Sequence, residues 1–262
     1  MARLRRALAA TGGLLVAFSG GVDSAVLARL ARDALGDRAV AVTVDSQTFT
    51  AAELREARRL ARLIGIRHIV VTHDELAEEA FCRNPPDRCY LCRRGLAGKL
   101  RELASRLGIP HIADGANLSD TREHRPGIRA ATEAGVLHPF IEHRVTKSGV
   151  RRLARSLGLP VAGRPSSACL SSRVPYGERI TEEKLRQIER AESYIRSLGF
   201  RQVRVRHHGA VARIEVEPEA VPRLVRKGTL ERVARRLRRL GFVYVTADLE
   251  GYRSGSLDKV LK

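Results

Sequence analysis

The sequence predicts an α/β protein with a doubly wound parallel sheet and a smaller C-terminal α+β domain. Short β-rich runs alternate with amphipathic helical stretches up to about residue 157. A segment rich in Pro, Ser and Gly then interrupts the pattern at residues 160–177, and the order helix, strand, strand, helix, strand follows it. We therefore expect one domain over residues 1–163 and a second over 164–262, with 164–177 as a functional loop or linker.

Each predicted element follows from a local pattern. In the first domain, strands are expected at 14–18, 39–44, 67–71 and 110–114, and helices at 22–35, from 50 onward, 90–107 and 146–157. The helix at 50 opens with Thr50 and Glu53 in capping-box spacing. In the second domain, helices are expected at 181–198 and 229–240, and strands at 201–206, 210–217 and 242–246. A charged helix such as 229–240 is by default a solvated face.

The composition is that of a folded globular protein with a large positive charge. Of the 262 residues, 44% are hydrophobic and 29% are charged, and the net charge is +19. Such a field attracts nucleic acid, nucleotides and phosphorylated metabolites alike. The predominance of Arg, which supplies 42 of the 48 basic residues, equally fits genome composition or a hot habitat.

Membrane and redox signals are also informative. No apolar run is long enough to span a membrane, and the N-terminus has no cleavage site, so we expect a cytoplasmic protein without a membrane partner. In that compartment, four cysteines favour a metal site or a reactive thiol over disulfides. They are Cys82, Cys89, Cys92 and Cys169.

Residues 19–24 read SGGVDS and lie between the first predicted strand and the first predicted helix. Gly20 and Gly21 let backbone N–H groups face an anion, while Ser19 and Ser24 add hydroxyl donors. Asp23 would repel a bare phosphate, so it indicates a bridging Mg²⁺. The string lacks the lysine of a Walker loop and the Rossmann spacing. We interpret it as a pyrophosphate loop for ATP and Mg²⁺ rather than an ordinary glycine turn.

This string resembles the PP-loop signature of the ATP pyrophosphatases, which share an adenine nucleotide alpha hydrolase-like fold. The resemblance implies cleavage of ATP between its α and β phosphates. It also implies that adenosine binds at the end of the second strand, around Val44. The phosphates would lie beside the end of the fourth strand, at residues 114–117, so Gly115 and Arg125 are further candidate ATP-binding residues.

Three longer strings, at residues 114–127, 167–173 and 251–256, resemble LarE-type sulfur transferases over nearly the whole chain. That family serves nickel-pincer nucleotide synthesis for lactate racemase. The resemblance implies adenylation of a carboxylate of a nicotinate-derived substrate, pyridinium-3,5-dicarboxylate mononucleotide, and its conversion to a thiocarboxylate. It also implies a homo-oligomer and a substrate phosphate bound by Arg173, Arg206 and Arg253.

The cysteines suggest two sources of sulfur. The resemblance to LarE implies that Cys169 is the catalytic residue, which gives up its own sulfur and becomes dehydroalanine. Cys89 and Cys92 have C-x-x-C spacing, and with Cys169 they are one thiolate short of a closed zinc site. They suit a [4Fe-4S] cluster with one open iron, where an exogenous sulfide binds, and we favour this interpretation. A structural zinc site that recruits Cys82 and a set of buried free thiols are the alternatives.

Other functions share parts of these patterns. A tRNA-thiolating enzyme would also have the phosphate loop, the three cysteines and a basic surface. We favour the LarE-type reading because no RNA-binding module is recognisable and the loops after residue 110 match LarE better. Nucleic acid is therefore not an expected partner. The third hypothesis is a nucleotide- or nucleic-acid-binding protein without catalysis. An amide-forming synthetase is disfavoured because no glutaminase segment is present.

Overall fold

The computed structural model describes residues 2–122, 125–165 and 168–253, except for the side chain of Arg122. Residues 123–124, 167 and 254–256 of the three strings quoted above lie outside the described residues. The chain divides into two compact units. The first contains Met1–Glu75 and Asp87–Ser167, and the second contains Leu76–Pro86 and Ala168–Lys262.

A four-stranded parallel sheet forms the centre of the first unit. Its strands are β1 (Leu14–Ala17), β2 (Ala39–Asp45), β3 (Arg67–Thr72) and β4 (His111–Ala113). They are arranged in the order β3-β2-β1-β4, and every neighbouring pair is parallel. This arrangement confirms the predicted fold class. The order reverses at β1, so the carboxyl ends of β1 and β4 flank a switch point of the kind where α/β proteins bind ligands.

The helices occur in both units, and their bounds, in chain order, are α1 (Ala2–Ala10), α2 (Val22–Leu35), α3 (Ala51–Ile64), α4 (Glu79–Cys82), α5 (Arg88–Arg106), α6 (Pro126–Glu133), α7 (Pro139–Glu142), α8 (Lys147–Ser156), α9 (Glu182–Ser197), α10 (Val221–Leu224) and α11 (Lys227–Arg239). The long helices match the sequence prediction closely. Helix α1 was not predicted, although it buries Leu4 and Leu8, which are four residues apart on one face. Helix α6 was also missed. No helix of the described residues is long and apolar enough to cross a membrane.

Both faces of the parallel sheet are covered by helices. Leu14 and Val16 of β1 point into a core shared with α1, α2, α3 and α8. Leu15 between them points to the opposite face, where it packs with residues of α5 and α6. Successive strand residues alternate between faces, so both parities must be apolar when both faces are buried. This requirement explains the continuous apolar runs in the sequence.

The second unit has a three-stranded sheet. Strands β5 (Val203–His208) and β6 (Val211–Val216) form an antiparallel hairpin, and β7 (Tyr244–Ala247) pairs with β6 in parallel. The hairpin turns at Gly209, whose φ of 57° favours glycine. Apolar residues of α9 and α11 cover the sheet, among them Ile195 and Leu237. The predicted small α+β arrangement is therefore confirmed.

Candidate active site

The phosphate loop lies between β1 and α2 and is closed by short hydrogen bonds among its own residues. The Ser24 hydroxyl donates to the Gly21 carbonyl at 3.1 Å and accepts the Ser19 N–H at 3.3 Å. The Ser19 hydroxyl lies 3.2 Å from that of Ser24 and accepts the Gly21 N–H at 3.3 Å. The loop thus leads into the N-terminus of α2, and such a terminus attracts anions through its N–H groups and dipole.

Two contacts beneath the loop fix its backbone. Gly20 has a φ of 72°, and a Cβ there would lie 3.1 Å from the Cα atom of Ala57 in α3. A glycine is therefore required both by conformation and by space. Just before the loop, the Thr43 hydroxyl donates to the Phe18 carbonyl at 2.6 Å. The end of β2 consequently holds the start of the loop.

Asp23, in the first turn of α2, is surrounded by two polar side chains that the chain brings from far away. The Asn117 amide donates to Asp23 Oδ1 at 3.3 Å, and the Lys147 ammonium pairs with Asp23 Oδ2. The Asp23 side chain is 23% exposed. A partly exposed carboxylate at this position suits Mg²⁺, which prefers oxygen ligands and retains several waters. Lys147 was not found by sequence reasoning, because one lysine at the start of a helix has no distinctive local pattern.

Gly115 packs directly against the phosphate loop. A Cβ at this position would lie 2.8 Å from the Asp23 carbonyl carbon and 2.8 Å from the Ser24 nitrogen. Real Cβ atoms do not approach backbone this closely, so only glycine fits here. The structure therefore brings the predicted residue Gly115 together with Asp23 and Ser24 of the loop.

The remaining predicted ATP-binding residues lie in the same unit. Val44 is the last but one residue of β2, and its side chain packs against the apolar cluster that includes residues of α5. Arg125 directly precedes α6 and is exposed, with its Nη2 3.2 Å from Asp120 Oδ1. Asp120 Oδ2 also accepts the Asn117 amide at 2.6 Å. Asp120 therefore connects Arg125 with the residue that contacts Asp23.

Cys89 and Cys92 lie in the first turns of α5, in the first unit. Cys89 is exposed, whereas the Cys92 thiol is half-buried and donates to Glu75 Oε1 at 3.0 Å. Glu75 is buried, and its Oε2 accepts the Thr48 hydroxyl at 2.5 Å. Residues three apart lie on one helix face, so both sulfurs can serve one site. Cys82, in the second unit, is buried and its thiol donates to the Leu76 carbonyl at 3.2 Å.

Cys169, in the second unit, begins a short turn whose backbone is held by the buried Arg173. Its Sγ lies 2.9 Å from the Ser171 hydroxyl, and the residue is exposed. Arg173 Nη1 donates to the carbonyls of Ala168 at 2.6 Å and Cys169 at 2.8 Å. The other guanidinium nitrogens of Arg173 donate to Glu192, with Nε 2.7 Å from Oε1 and Nη2 3.2 Å from Oε2.

A second buried ion pair, between Arg206 and Glu215, also supports the Cys169 turn. Arg206 donates to both carboxylate oxygens of Glu215, at 2.9 and 2.8 Å, and its Nη1 donates to the Ser172 carbonyl at 2.7 Å. Arg204 lies beside these pairs and is also buried. Burial and the charge of Arg173 lower the pKa of Arg204 to about 10, so it remains charged at neutral pH.

The three predicted phosphate-binding arginines therefore differ in their surroundings. Arg173 and Arg206 are buried, and each is engaged by a carboxylate and by backbone carbonyls of the Cys169 turn. Arg253 has a side chain that is 37% exposed and pairs with Glu250. Sequence reasoning could not identify Glu192 or Glu215 as partners, because a single Glu in a helix or strand looks like a surface charge.

We next consider which of the described residues could bind a metal ion or cluster. In the ranges 2–122, 125–165 and 168–253, no group of three or more His, Cys, Asp and Glu side chains could hold a metal ion. The donor chemistry itself is compatible with both implied groups. Asp23 offers a hard oxygen ligand for Mg²⁺, and three cysteines, two of them exposed, offer soft thiolates for iron.

Comparison with known proteins places the chain in a family. Residues 3–85 match the family model described as asparagine synthase. The chain is 40% identical to the pyridinium-3,5-bisthiocarboxylic acid mononucleotide synthase of Lactiplantibacillus plantarum, over 94% of this chain and 89% of that protein. It is 46% identical to an uncharacterized protein of Synechocystis, over 94% and 92% of the two chains.

Similarity to tRNA thiolases is more distant. The chain is 30% identical to the tRNA-specific 2-thiouridylase MnmA of Parvibaculum lavamentivorans, over 76% of this chain and 58% of that protein. The PP-loop family that the family-model match over residues 3–85 indicates implies ATP and Mg²⁺. With a complete phosphate loop and near full-length similarity to the synthase, the chain belongs to the LarE-type ATP-dependent sulfur transferases of the PP-loop ATP pyrophosphatase superfamily.

Proposed function

We propose that this protein adenylates a carboxylate of pyridinium-3,5-dicarboxylate mononucleotide with ATP and then replaces AMP with sulfur to form a thiocarboxylate. The observation that carries the proposal is the convergence of Gly115, Asn117 and Lys147 on Asp23 of the phosphate loop. The similarity to the L. plantarum synthase over 94% of the chain supports the choice of substrate. AMP and pyrophosphate are the expected by-products.

The ATP half of the reaction uses residues of the first unit. Asp23 would hold Mg²⁺, which neutralises charge on the phosphates and helps pyrophosphate to leave. With Mg²⁺ held by Asp23, the Lys147 ammonium would be available to the phosphate oxygens. Ser19, Gly20, Gly21 and Ser24 would bind the phosphates through N–H and hydroxyl donors. We place adenosine at Val44, with Gly115 and Arg125 beside the phosphates.

The sulfur half depends on the cysteines. Cys89, Cys92 and Cys169 would bind a [4Fe-4S] cluster as thiolates, and such a cluster keeps one iron open for a sulfide. On this chain, Cys92 must then transfer its thiol proton, and Glu75 is the acceptor already in contact with it at 3.0 Å. The alternative sulfur source is Cys169 itself, whose C–S bond would break to leave dehydroalanine.

The substrate phosphate is assigned to Arg173, Arg206 and Arg253. Arg253 is the most accessible of the three and pairs with Glu250. Arg173 and Arg206 already hold the Cys169 turn, so we assign them mainly that support. We therefore expect Arg253→Ala to raise the KM for the mononucleotide with little change in kcat.

The central experiment measures both halves of the reaction on one protein. Anaerobically purified protein is incubated with Mg-ATP, the dicarboxylate mononucleotide and sulfide. AMP and pyrophosphate are quantified, and the thiocarboxylate is detected by mass spectrometry. Substrate-dependent AMP with a thiocarboxylate product supports the proposal. Labelled tRNA replaces the mononucleotide in a parallel reaction, and AMP release only with tRNA would instead identify a tRNA thiolase.

Two substitutions separate adenylation from sulfur transfer. Asp23→Ala should abolish AMP formation, because no carboxylate remains for the metal. Cys169→Ala should release pyrophosphate and accumulate the acyl adenylate, but form no thiocarboxylate. Persistence of thiocarboxylate in the Cys169 variant would contradict both proposed roles of this residue.

The cluster is tested on protein purified without oxygen, by iron, labile sulfide and visible absorption. Cys89→Ser should lose iron, whereas Cys82→Ser is the matched control and should retain it. Zinc without iron would exclude the cluster, and dehydroalanine at position 169 after turnover would identify the sacrificial route. Light scattering tests the expected homo-oligomer on the same samples.

A further inference from the structure

Asp114 and His138 form a buried pair behind the phosphate loop, and no part of the function described so far uses His138. Asp114 follows β4, and His138 follows Leu137, a single residue that pairs with β4 in parallel. Leu137 N–H donates to the Ile112 carbonyl at 2.8 Å, and Asp114 N–H donates to the Leu137 carbonyl at 3.1 Å. This bridge brings the two side chains together although the residues are 24 apart in sequence.

Three groups lie around the Asp114 carboxylate. His138 Nδ1 lies 2.8 Å from Asp114 Oδ1, which also accepts the Ala116 N–H at 3.0 Å. Arg93 Nη1 lies 4.0 Å from Oδ2. Burial raises the pKa of Asp114, but the contacts with His138, Arg93 and Ala116 outweigh burial and leave it below its usual range. A charged carboxylate can only accept, so His138 Nδ1 carries the proton of this bond.

The imidazole ring is held on its other side as well. His138 Nε2 lies 3.0 Å from the Thr132 hydroxyl oxygen, and the hydroxyl hydrogen of Thr132 is donated to the Ile128 carbonyl at 2.9 Å. The His138 backbone N–H donates to Glu142 Oε1 at 3.2 Å. The His138 side chain is only 9% exposed. Contacts on both nitrogens leave the ring one orientation, with Nδ1 towards Asp114.

The segment that Asp114 begins is the one that contacts the phosphate loop. Gly115 abuts the backbone of Asp23 and Ser24, where a Cβ would lie at 2.8 Å. Two residues further, the Asn117 amide donates to Asp23 Oδ1 at 3.3 Å. A displacement of Asp114 would therefore be passed directly to Asp23, the residue proposed to bind Mg²⁺.

We propose that His138 is a positioning residue for ATP chemistry, because its Nδ1–H holds Asp114 and thereby fixes residues 114–117 against Asp23. The inference deepens the proposed function and rests on its ATP half. It assigns His138 no contact with substrate. Its effect is expected on kcat and on the Mg²⁺ dependence of pyrophosphate release, and not on the KM for the mononucleotide.

The test compares two substitutions of His138, which precedes α7, with a control at His143, which follows α7. His138→Ala should lower kcat for pyrophosphate release about 10- to 100-fold, since small misplacements of catalytic groups have effects of this size. It should also raise the Mg²⁺ concentration needed for half-maximal rate. His138→Asn offers an amide N–H where Nδ1 stood and should restore most of both values. His143→Ala, at the end of α7, should match the wild type.

Three results decide the proposal. A folded His138→Ala protein with wild-type kcat and Mg²⁺ dependence would overturn it. So would an Asn variant as impaired as the Ala variant although both unfold at the same temperature, because the lost ring rather than the lost N–H would then matter. If the wild type releases no pyrophosphate, the proposed function fails. Calorimetric Mg-ATP binding then tests the inference separately, and equal binding by the wild type and His138→Ala would overturn it.

Discussion

The internal hydrogen bonds that close the phosphate loop of the first unit join residues at most five apart, whereas the Cys169 turn of the second unit is supported by side chains from distant segments. Ser19 and Ser24 close the loop within its own string. The Cys169 turn depends on Arg173, which is paired with Glu192, 19 residues away, and on Arg206, whose contact with Ser172 spans 34 residues. The closure of the phosphate loop is therefore encoded locally, and the support of the Cys169 turn is not.

The two regions also differ in what would damage them. The loop is built from glycines and close backbone contacts, so an added atom is harmful there. The turn rests on buried ion pairs, for which loss of one partner leaves an uncompensated charge. Added volume should therefore break the first region, and removed charge should break the second.

Loss of Glu192 should have the largest effect. Glu192→Ala leaves Arg173 without its carboxylate in a buried site, and Arg204 lies nearby. The free energy of unfolding should fall by about 3–5 kcal/mol, as when a buried pair loses one member. Chemical denaturation checks this. Glu183→Ala, an exposed change on the same helix, should stay within about 0.5 kcal/mol, and equal losses in the two variants would refute the distinction.

Added volume at Gly115 should come next. The new methyl group of Gly115→Ala would press on the backbone of Asp23 and Ser24. Overpacking of this kind costs about 1–3 kcal/mol of stability, and pyrophosphate release should fall about 100-fold because Asp23 moves. Gly98→Ala is the control. Gly98 lies exposed within α5 with open space around it, so Ala should stabilise the protein by up to about 1 kcal/mol and leave activity unchanged. Wild-type activity in the Gly115 variant would mean that the loop tolerates displacement.

The same contrast explains which features of the fold and of the site could be predicted from the sequence. The parallel strands and long helices follow from apolar periodicity, and the loop follows from a contiguous string. Lys147 and His138 could not be identified, because their role depends on contacts with Asp23 and Asp114 that only the folded sheet creates. Asn84 is similar, since its buried amide donates to the carbonyl of Pro175 at 2.6 Å. Such contacts join segments tens of residues apart and have no local signature.

Acid should weaken the second region through Glu192. Burial raises the pKa of this carboxyl, but Arg173 and the other nearby arginines outweigh burial and hold it below its usual range. A carboxyl whose pKa is lower in the folded chain than in the unfolded chain stabilises the fold at pH values above its unfolded pKa, near 4.5. This stabilisation is lost as the pH falls through the folded pKa. Each pKa unit by which the folded value lies below the unfolded value corresponds to about 1.4 kcal/mol of unfolding free energy.

Denaturation of the wild type and Glu192→Gln between pH 7 and pH 3 isolates this contribution. The difference in unfolding free energy should be largest at pH 7 and shrink in acid. Because other carboxylates titrate in both proteins, only the difference between the two is informative. A constant difference would mean that Glu192 gains its proton at the same pH in the folded and unfolded chains.

The smallest effect should come from the helix that supports the phosphate loop. Thr50 and Glu53 form a capping box at the start of α3, with the Glu53 N–H donating to Thr50 Oγ1 at 3.1 Å. Thr50→Ala should cost about 1 kcal/mol in unfolding free energy, and Thr50→Ser should cost less because the hydroxyl remains. Ala57, which supports Gly20, lies two turns into the helix, so pyrophosphate release should be unchanged in both variants. Slower release at unchanged stability would show that the cap also positions the loop, and the first region would then be less local than its hydrogen bonds indicate.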